Sequence, residues 1–345
     1  MAVLLVGAAL YLVSKRKRDS EPAELIHLPG RTMTTSYSVK VVAPEFSRDA
    51  RRRLKQVVEQ ELETVDAALS RYRDGSELNR LNRSRSNEPI EVSRPLLEVL
   101  SEARRIGKLS GGAYDVTVGP LIELWGFDGS RTLEKAPAEP AITGALSRVG
   151  FDLWRIDEDK GALRKLNPEV DIDLSSIAKG YAVDRIALGL ERMGHRDYLV
   201  EVGGEIRCSG SSPQRRPWRV AVEAPVVGRR EVYEVLQMRR GSMATSGDYR
   251  NFYELEGRRV SHTIDPRNGR PVEHDLRSVT VIHESCTTAD GLATALEALG
   301  PDAGYELAVR EKLAVLMLVG RGDQKIERLD TLEFRRMVEE GVEIE

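Results

Sequence analysis

The sequence of this 345-residue chain predicts an α+β fold. Segments with strand patterning are separated irregularly by helical segments, which is typical of that class. Hydrophobic residues make up 41% of the chain, which is enough for a sizeable core. The length fits one large domain or two intimate ones.

The overall composition excludes some classes of function. Charged residues reach 31%, but the net charge is only -3, so we expect no nucleic-acid partner. The two cysteines, Cys208 and Cys286, form no CxxC motif. A structural zinc site and a thioredoxin-like motif are therefore unsupported, and cysteine usage leaves the redox compartment open.

The N-terminus carries a short apolar run. Residues 2–13 are uncharged and mostly apolar, and four basic residues follow at 15–18. A transmembrane helix needs about 20 apolar residues, and a signal peptide carries its positive charge before the apolar run. A short signal-anchor, a signal peptide whose upstream part lies outside this sequence, and an exposed tail all stay open. We favour a membrane tether within residues 1–30, with a polar linker over 14–30 that leads into a domain over 31–345.

The first half of that domain predicts one strand and two helices. Residues Thr34–Val42 alternate as a strand that ends before Pro44. Ser47 is placed to cap a helix. The apolar face of this helix recurs at three- and four-residue steps and consists of Leu54, Val58, Leu62, Val65 and Leu69. A second helix is expected from Ser93, with Pro95 in its first turn.

The second half predicts further helices and strands. Asp171–Leu174 reads as a short strand that feeds a helix to about Met193. Another helix is expected over Ala289–Leu299, capped by Thr287 or Thr288. Alternation or buried apolar runs predict strands at Tyr198–Val202, Trp218–Val222, Arg259–Ile264, Val279–His283 and Ala314–Val319.

Asp290 and Thr294 are candidate metal ligands. They lie four residues apart near the start of a predicted helix, so their side chains share one face. A carboxylate and a hydroxyl are hard oxygen ligands that suit Mg²⁺ or Ca²⁺ better than zinc or copper. The helix start also favours a phosphate beside the metal. The alternative is structural, with Asp290 as a partner of the helix dipole and Thr294 as a surface hydroxyl.

A second polar cluster stands at the predicted strand-to-helix corner over residues 171–181. It brings Asp173, two serines and Lys179 to one helix start. Simple capping by Ser175 or Ser176 is the structural alternative. Ser176 and Lys179 also fit the S-x-x-K pattern of acyl-serine hydrolases, but the companion K-T-G and S-D-N motifs are absent from the chain.

His262 is a candidate base. It is the only one of the five histidines inside a compact polar motif, Ser261–Pro266, just before a turn predicted at 265–269. A neutral imidazole there could take a proton from an incoming hydroxyl near neutral pH. A structural strand histidine is the alternative.

Two further segments could contact a planar ligand. Tyr72 offers an aromatic face, and the triplet Ala113-Tyr114-Asp115 follows a Gly-Gly pair and adds a carboxylate. P-loop, Rossmann and zincin motifs are absent from the chain, so those chemistries are unsupported.

In combination, these segments resemble the ApbE family, the FAD:protein FMN transferases. The resemblance runs from about Met33 to Val319. It rests on ordered blocks at Ser70–Tyr72, Ser76–Asn79, Gly111–Pro120, Asp173–Asp184, Val202–Glu205, Ser242–Tyr249, Ser261–Pro271 and Ala289–Ala295. It implies an ApbE-like mixed α/β domain with a largely antiparallel sheet core and packed helices.

The resemblance also implies roles for matching positions. The side chains of Asp290 and Thr294 and the backbone carbonyl of Ser176 would bind Mg²⁺. His262 would be the base for an acceptor threonine. FAD would be the substrate, and Tyr72 would lie near its flavin ring. The residues that would contact FAD are Met33, Tyr72, Ala113, Tyr114, Asp115, Asp173, Lys179 and Ile264.

The implied reaction cleaves FAD, attaches FMN through a phosphoester to a threonine of a partner protein, and releases AMP. The implied partner is a flavin-carrying subunit of a membrane redox complex, so we expect a membrane-anchored enzyme on the periplasmic side. The basic residues at 15–18 would by themselves keep the following residues cytoplasmic, against this expectation. The chain also departs from the family pattern, because the usual Met-Gly-Thr opening is Met33-Thr34-Thr35 here and the lipobox cysteine is missing.

Three alternatives stand beside the transferase. An FAD pyrophosphatase would use water instead of threonine at the same site and yield FMN and AMP. A flavin-binding protein would hold the ligand without turnover. An acyl-serine hydrolase acting through Ser176 is the weakest of the three.

Overall fold

The computed structural model describes residues 24–43, 47–129, 133–226, 228–247, 252–255, 257–321 and 325–343. The apolar run at 2–13, predicted as a tether, lies outside these ranges. Within them, no helix is long and apolar enough to cross a membrane.

The strands of the described residues form one large sheet and three small ones. In chain order they are β1 (Glu24–Thr32), β2 (Thr35–Ala43), β3 (Ile90–Glu91), β4 (Trp154–Asp157), β5 (Ala162–Lys165), β6 (Tyr198–Val202), β7 (Glu205–Ser209), β8 (Trp218–Glu223), β9 (Val232–Ser246), β10 (Phe252–Leu255), β11 (Arg258–Ser261), β12 (Ile264–Asp265), β13 (Arg270–Pro271), β14 (Leu276–His283), β15 (Ala314–Arg321), β16 (Lys325–Asp330) and β17 (Val342–Glu343). The large sheet runs β1-β2-β6-β7-β9-β14-β15-β16, with β8 and β17 also paired to β9. Its pairs are antiparallel except β17 with β9, which confirms the predicted α+β class and largely antiparallel sheet.

Helices cover both faces of this sheet. In chain order the helices of the described residues are α1 (Arg48–Leu69), α2 (Glu77–Arg83), α3 (Arg94–Leu109), α4 (Gly119–Leu124), α5 (Glu139–Leu146), α6 (Ala178–Arg192), α7 (Cys286–Leu299), α8 (Pro301–Arg310) and α9 (Leu332–Glu340). Helices α6 and α7 pack on the sheet and on each other, with α1 against α6 and α3 against α7. Helix α9 packs on β15 and buries Phe334 in a separate core.

Local sequence explains the first long helix. The Ser47 hydroxyl accepts a hydrogen bond from the Ala50 N–H at 3.0 Å, so Ser47 is the N-cap, as predicted. The predicted apolar face is buried at Leu54, Val58, Leu62, Val65 and Leu69. Full burial of each such side chain contributes roughly 1.5–3 kcal/mol, which holds α1 on the main core.

Three predictions of secondary structure are wrong. Residues 24–30, expected to be linker, belong to β1, where Pro29 is tolerated because β1 is an edge strand paired only with β2. Residues 171–174 join no strand, because the Asp173 N–H donates to the Val116 carbonyl at 2.7 Å. The predicted strand around His262 is interrupted, since β11 ends at Ser261 and β12 begins two residues after the histidine.

Two helix starts also differ from the prediction. Helix α6 begins at Ala178 with Ile177 at the N-cap, so neither candidate serine caps it. Helix α7 begins at Cys286, three residues earlier than expected, because the Ser285 hydroxyl accepts a hydrogen bond from the Thr288 N–H at 3.2 Å. The earlier start places Asp290 in the second turn of α7.

A small lobe, made of α4, α5 and β10 to β13, stands beside the large sheet with its own core. Its buried side chains are Leu121, Trp125, Ile142, Ala145, Leu255, Val260 and Ile264. The Trp125 indole N–H donates to the Gly269 carbonyl at 2.9 Å, across the predicted turn at 265–269. Because β12 also packs against α7, this lobe places its residues next to the helix that carries Asp290.

Candidate active site

The first turn of α7 is anchored to α6 by Asp184. This carboxylate accepts hydrogen bonds from the Ser285 hydroxyl (2.9 Å), the Cys286 N–H (3.1 Å) and the N–H and hydroxyl of Thr287 (2.9 and 2.8 Å). The bonds satisfy N–H groups that every helix start leaves without an intrahelical partner. They also fix the position of Asp290, one turn further along.

Asp290 is buried against the start of α6. Its Oδ2 accepts a hydrogen bond from the backbone N–H of Gly180 at 2.9 Å. Among the described residues no group donates a hydrogen bond to its Oδ1, and the Lys179 ammonium stands 3.9 Å away. Burial raises the pKa of Asp290, and the attraction of Lys179 offsets this only in part.

The Ser176 carbonyl lies just before the start of α6. Gly180 is the third residue of that helix, so its N–H is one of those that a helix start leaves without an intrahelical partner. Here it points to Asp290, and no N–H of the described residues donates to the Ser176 carbonyl. The Ser176 hydroxyl donates to the Tyr114 hydroxyl at 3.0 Å, which ties this corner to the predicted Gly111–Pro120 block.

Thr294 completes a set of hard oxygens. It stands one turn after Asp290 on α7, and its hydroxyl lies 3.1 Å from the Ser246 hydroxyl at the end of β9. In the described part of the chain, no group of three or more His, Cys, Asp or Glu side chains is arranged to hold a metal. The Asp290 carboxylate, the Thr294 hydroxyl and the open Ser176 carbonyl are oxygens of the type that hard cations bind.

Two buried carboxylates share one lysine next to these donors. The Lys179 ammonium lies 2.6 Å from Oε1 of Glu205. Glu205 is 2% exposed and Asp290 3%. Burial and the charge of Asp290 raise the pKa of Glu205, and the ammonium of Lys179 lowers it. Glu205 therefore holds the lysine closely, while Asp290 has no cationic group of the described residues within hydrogen-bonding distance.

The Lys179 ammonium keeps its charge in this setting. Burial by itself lowers the pKa of Lys179, but the charges of Asp290 and Glu205 together raise it above the ordinary value. Its side chain remains 30% exposed.

The β1–β2 hairpin approaches Lys179 from the sheet. Its two-residue turn consists of Met33 and Thr34, with positive φ angles of 46° and 59°. Thr35 packs on the β6–β7 turn, where a Cβ on Gly203 would lie 3.0 Å from Thr35 and 3.1 Å from Cδ of Lys179. Only glycine, which here has φ of 62°, permits this approach.

Tyr72 presents an exposed ring at the edge of this region. Its side chain is 69% exposed and follows Arg71, whose guanidinium forms ion pairs with Asp171 and Asp173. Asp173 in turn accepts a hydrogen bond from the Ser175 N–H at 2.8 Å. An exposed aromatic face beside buried polar groups is suited to a planar ligand.

The other predicted ligand contacts are buried. Ala113 and Tyr114 are 1% and 3% exposed. Oδ1 of Asp115 accepts hydrogen bonds from the N–H (2.8 Å) and hydroxyl (2.6 Å) of Thr117, so this carboxylate oxygen holds its own loop in shape. Ile264 lies in the core of the small lobe, on the strand that packs against α7.

His262 lies in the small lobe. It occupies the break between β11 and β12, and its ring packs edge-on against Phe127 with centroids 6.4 Å apart. The lobe packs on α7 through β12, which begins two residues after His262. Hydrogen bonds join the Ser176 hydroxyl to Tyr114 and the Thr294 hydroxyl to the Asp290 carbonyl, and the Lys179 ammonium lies 3.9 Å from Asp290.

Sequence reasoning gave no role to Gly180, Glu205 or Asp184. A glycine inside a predicted helix was a usable signal, because such a residue usually has a packing reason. A Cβ on Gly180 would lie 2.3 Å from the Cys286 carbonyl oxygen and 2.8 Å from Cβ of Asp290. Glu205 and Asp184 gave no local signal, since their partners lie on other elements.

Comparison with known proteins assigns the chain to a family. The model described as the ApbE family matches residues 33–317, which include every candidate site residue from Met33 to Thr294. The chain belongs to the ApbE family. This confirms the resemblance stated from the sequence blocks.

Individual ApbE-family proteins match over nearly their whole length. An FAD:protein FMN transferase of Haemophilus influenzae is 38% identical over 341 residues, covering 98% of this chain and 97% of the relative. One of Vibrio cholerae is 42% identical over 303 residues, covering 88% and 90%. The solved structure of the flavin transferase ApbE from Vibrio cholerae matches with a TM-score of 0.83 at 39% identity, covering 91% of this chain and 99% of that one.

Proposed function

We propose that this ApbE-family chain is an FAD:protein FMN transferase. It cleaves FAD, attaches the FMN half through a phosphoester to a threonine of an acceptor protein, and releases AMP. The observation that carries the proposal is the set of hard oxygens where the start of α6 packs on α7: the Asp290 carboxylate, the Thr294 hydroxyl and the open Ser176 carbonyl, with Lys179 beside Asp290. Relatives at 38% and 42% identity bear this activity as their name.

The cation proposed for this cluster is Mg²⁺. Asp290, Thr294 and the Ser176 carbonyl would hold it, because all three offer hard oxygens. Bound there, Mg²⁺ would neutralise negative charge on the diphosphate of FAD and assist departure of AMP. Lys179 adds a second positive charge beside the same diphosphate, and its raised pKa keeps it protonated.

His262 is the group we propose as the base. The threonine oxygen of the acceptor forms a bond to the FMN phosphorus, and the bond from that phosphorus to the bridging oxygen breaks. AMP leaves with the bridging oxygen, and His262 accepts the threonine proton. The exposed ring of Tyr72 and the hairpin turn at Met33 are the proposed contacts for the flavin, with Ala113, Tyr114, Asp115, Asp173 and Ile264 completing the FAD site.

The proposed acceptor is a flavin-carrying subunit of a membrane redox complex, and the proposed location is the periplasmic side of the membrane. The apolar run at residues 2–13 supports a membrane tether. A phosphatase reporter fused after residue 20 should be active if the chain continues on the periplasmic side. An inactive phosphatase fusion would place the domain in the cytoplasm.

One incubation tests the reaction itself. The protein is mixed with FAD, Mg²⁺ and an acceptor domain, and the acceptor is weighed by mass spectrometry. A gain of one FMN, with AMP released, is expected, and Asp290→Asn in parallel should give neither. FMN and AMP with an unmodified acceptor would replace the proposal by an FAD pyrophosphatase, and FAD recovered intact would reduce the chain to a flavin-binding protein.

A further inference from the structure

Lys179 stands between two buried carboxylates at unequal distances. Its ammonium lies 2.6 Å from Oε1 of Glu205 and 3.9 Å from Oδ1 of Asp290. Glu205 thus holds the ammonium at hydrogen-bonding distance, while Asp290 remains outside direct contact. If Glu205 lost its charge, Asp290 would be the remaining carboxylate partner of this lysine.

We propose that Glu205 is a positioning residue that keeps Lys179 off Asp290, so that Oδ1 of Asp290 stays open to a divalent cation. The inference rests on the proposed function, because it takes Asp290 as a cation ligand. Glu205 itself does not touch the cation in this arrangement. It acts through Lys179.

The physical reason is competition for one oxygen. An ammonium and a divalent cation both seek the open oxygen of Asp290, because opposite charges attract strongly at short distance where water is excluded. A lysine released from Glu205 would therefore form an ion pair with Asp290, and the cation would have to displace it. Holding the lysine elsewhere removes that cost.

The fold keeps Glu205 in place for this role. The residue opens β7 directly after the Gly203-Gly204 turn, in register with Val202. Helix α6, which carries Lys179, packs on both β6 and β7. Gly203 leaves room for the lysine stem, because a Cβ there would lie 3.1 Å from its Cδ.

The side-chain contacts of Glu205 are directed at Lys179. Oε2 is buried and has no hydrogen-bond partner among the described residues. A buried carboxylate placed to tie the fold together would normally satisfy both oxygens. Here the one strong contact of the carboxylate is to Lys179.

A binding measurement without FAD or acceptor tests the proposal. Mn²⁺, a spectroscopic stand-in for Mg²⁺, is titrated by calorimetry and electron paramagnetic resonance into wild type, Glu205→Gln, Lys179→Gln and the double variant. We expect Glu205→Gln to raise the Kd of Mn²⁺ at least about tenfold. The double variant should recover toward the wild-type Kd, because no lysine remains to compete. This recovery is a signature that a merely structural role would not give.

Glu201→Gln is the matched control. It changes a carboxylate of the same hairpin that accepts a hydrogen bond from the Gly204 N–H at 2.9 Å and not from Lys179. The Kd of Mn²⁺ for this variant should stay at the wild-type value. Circular dichroism checks that each variant is folded. If Glu205→Gln does not fold, Glu205→Asp replaces it, because aspartate keeps the carboxylate but has a shorter side chain. Glu205→Asp should weaken Mn²⁺ binding, and adding Lys179→Gln should again restore it.

Two outcomes would overturn the inference while leaving the proposed function intact. One is an unchanged Kd in Glu205→Gln. The other is a loss that persists in the double variant, which would make Glu205 a direct ligand or a structural residue. Failure of wild type to bind Mn²⁺ at all, or equal binding by Asp290→Asn, would instead remove the cation site on which the inference and the proposed function both rely.

Discussion

The backbone N–H of Gly180 donates to Oδ2 of Asp290 at 2.9 Å, and this one hydrogen bond shapes the site in two ways. It orients the carboxylate, and it satisfies an N–H that the start of α6 leaves without an intrahelical partner. Both effects depend on close contact between α6 and α7. That contact is possible because position 180 has no side chain.

Gly180→Ala should damage both stability and cation binding. The added methyl group would lie 2.3 Å from the Cys286 carbonyl oxygen, so the two helices must move apart. Overpacking of this kind costs roughly 1–3 kcal/mol. Urea unfolding should show that loss, and a Mn²⁺ titration should show weaker binding. Wild-type values in both measurements would contradict the close approach of the helices.

A second helical glycine is the matched control for that variant. Gly144 lies in α5, and a Cβ there would meet nothing within 4 Å. Gly144→Ala should therefore stabilise the protein by about 0.5–1 kcal/mol, because alanine favours helix more than glycine does. Mn²⁺ binding should not change.

His262→Ala should slow FMN transfer without weakening FAD binding. Loss of a general base lowers the rate by roughly 10²–10⁴-fold. Stopped-flow or quenched assays of AMP release give the rate, and fluorescence titration gives the Kd of FAD. Loss of FAD binding together with the rate would show that His262 is structural, as one interpretation of the sequence allows.

Thr34→Gly should stabilise the protein. Thr34 has φ of 59°, in the left-handed region that a β-branched residue adopts only with strain. Replacing this threonine by glycine should raise the free energy of unfolding by about 1 kcal/mol, and a thermal melt should show a higher Tm. Thr35→Gly, one residue on and inside β2, should lower the Tm instead, and a drop in both variants would argue against a strained turn.

Lys165 should make stability depend on pH in the alkaline range. It is fully buried, and its ammonium donates to the Asn82, Ser84 and Pro168 carbonyls. Burial, with the charge of Arg85, lowers its pKa to about 8. The unfolded chain therefore binds more protons than the folded one between that pKa and the ordinary value of about 10.4, so stability should rise with pH across this window.

The comparison that isolates this effect is Lys165→Met. The difference in unfolding free energy between wild type and this variant should shift in favour of wild type as the pH rises from about 8 to about 10.4, by at most about 1.4 kcal/mol per pH unit. Urea unfolding at several pH values gives the difference. A flat difference would show that the carbonyl oxygens keep the pKa of the lysine near its ordinary value.

Local patterns predicted the parts of this protein that depend on periodicity and order along the chain. The buried face of α1 follows from three- and four-residue steps, and its cap at Ser47 follows from one residue type before them. The i, i+4 spacing placed Asp290 and Thr294 on one helix. The order of several short blocks indicated the family, which the match over residues 33–317 confirmed.

Tertiary structure alone decided how these parts meet. The Gly180–Asp290 hydrogen bond joins residues 110 positions apart, and Glu205 reaches Lys179 from a different hairpin. The same packing satisfies the Gly180 N–H, and the Ser176 carbonyl just before α6 accepts no N–H of the described residues. Such contacts depend on the distance and angle at which whole elements pack, and a helical or strand period describes only one element at a time.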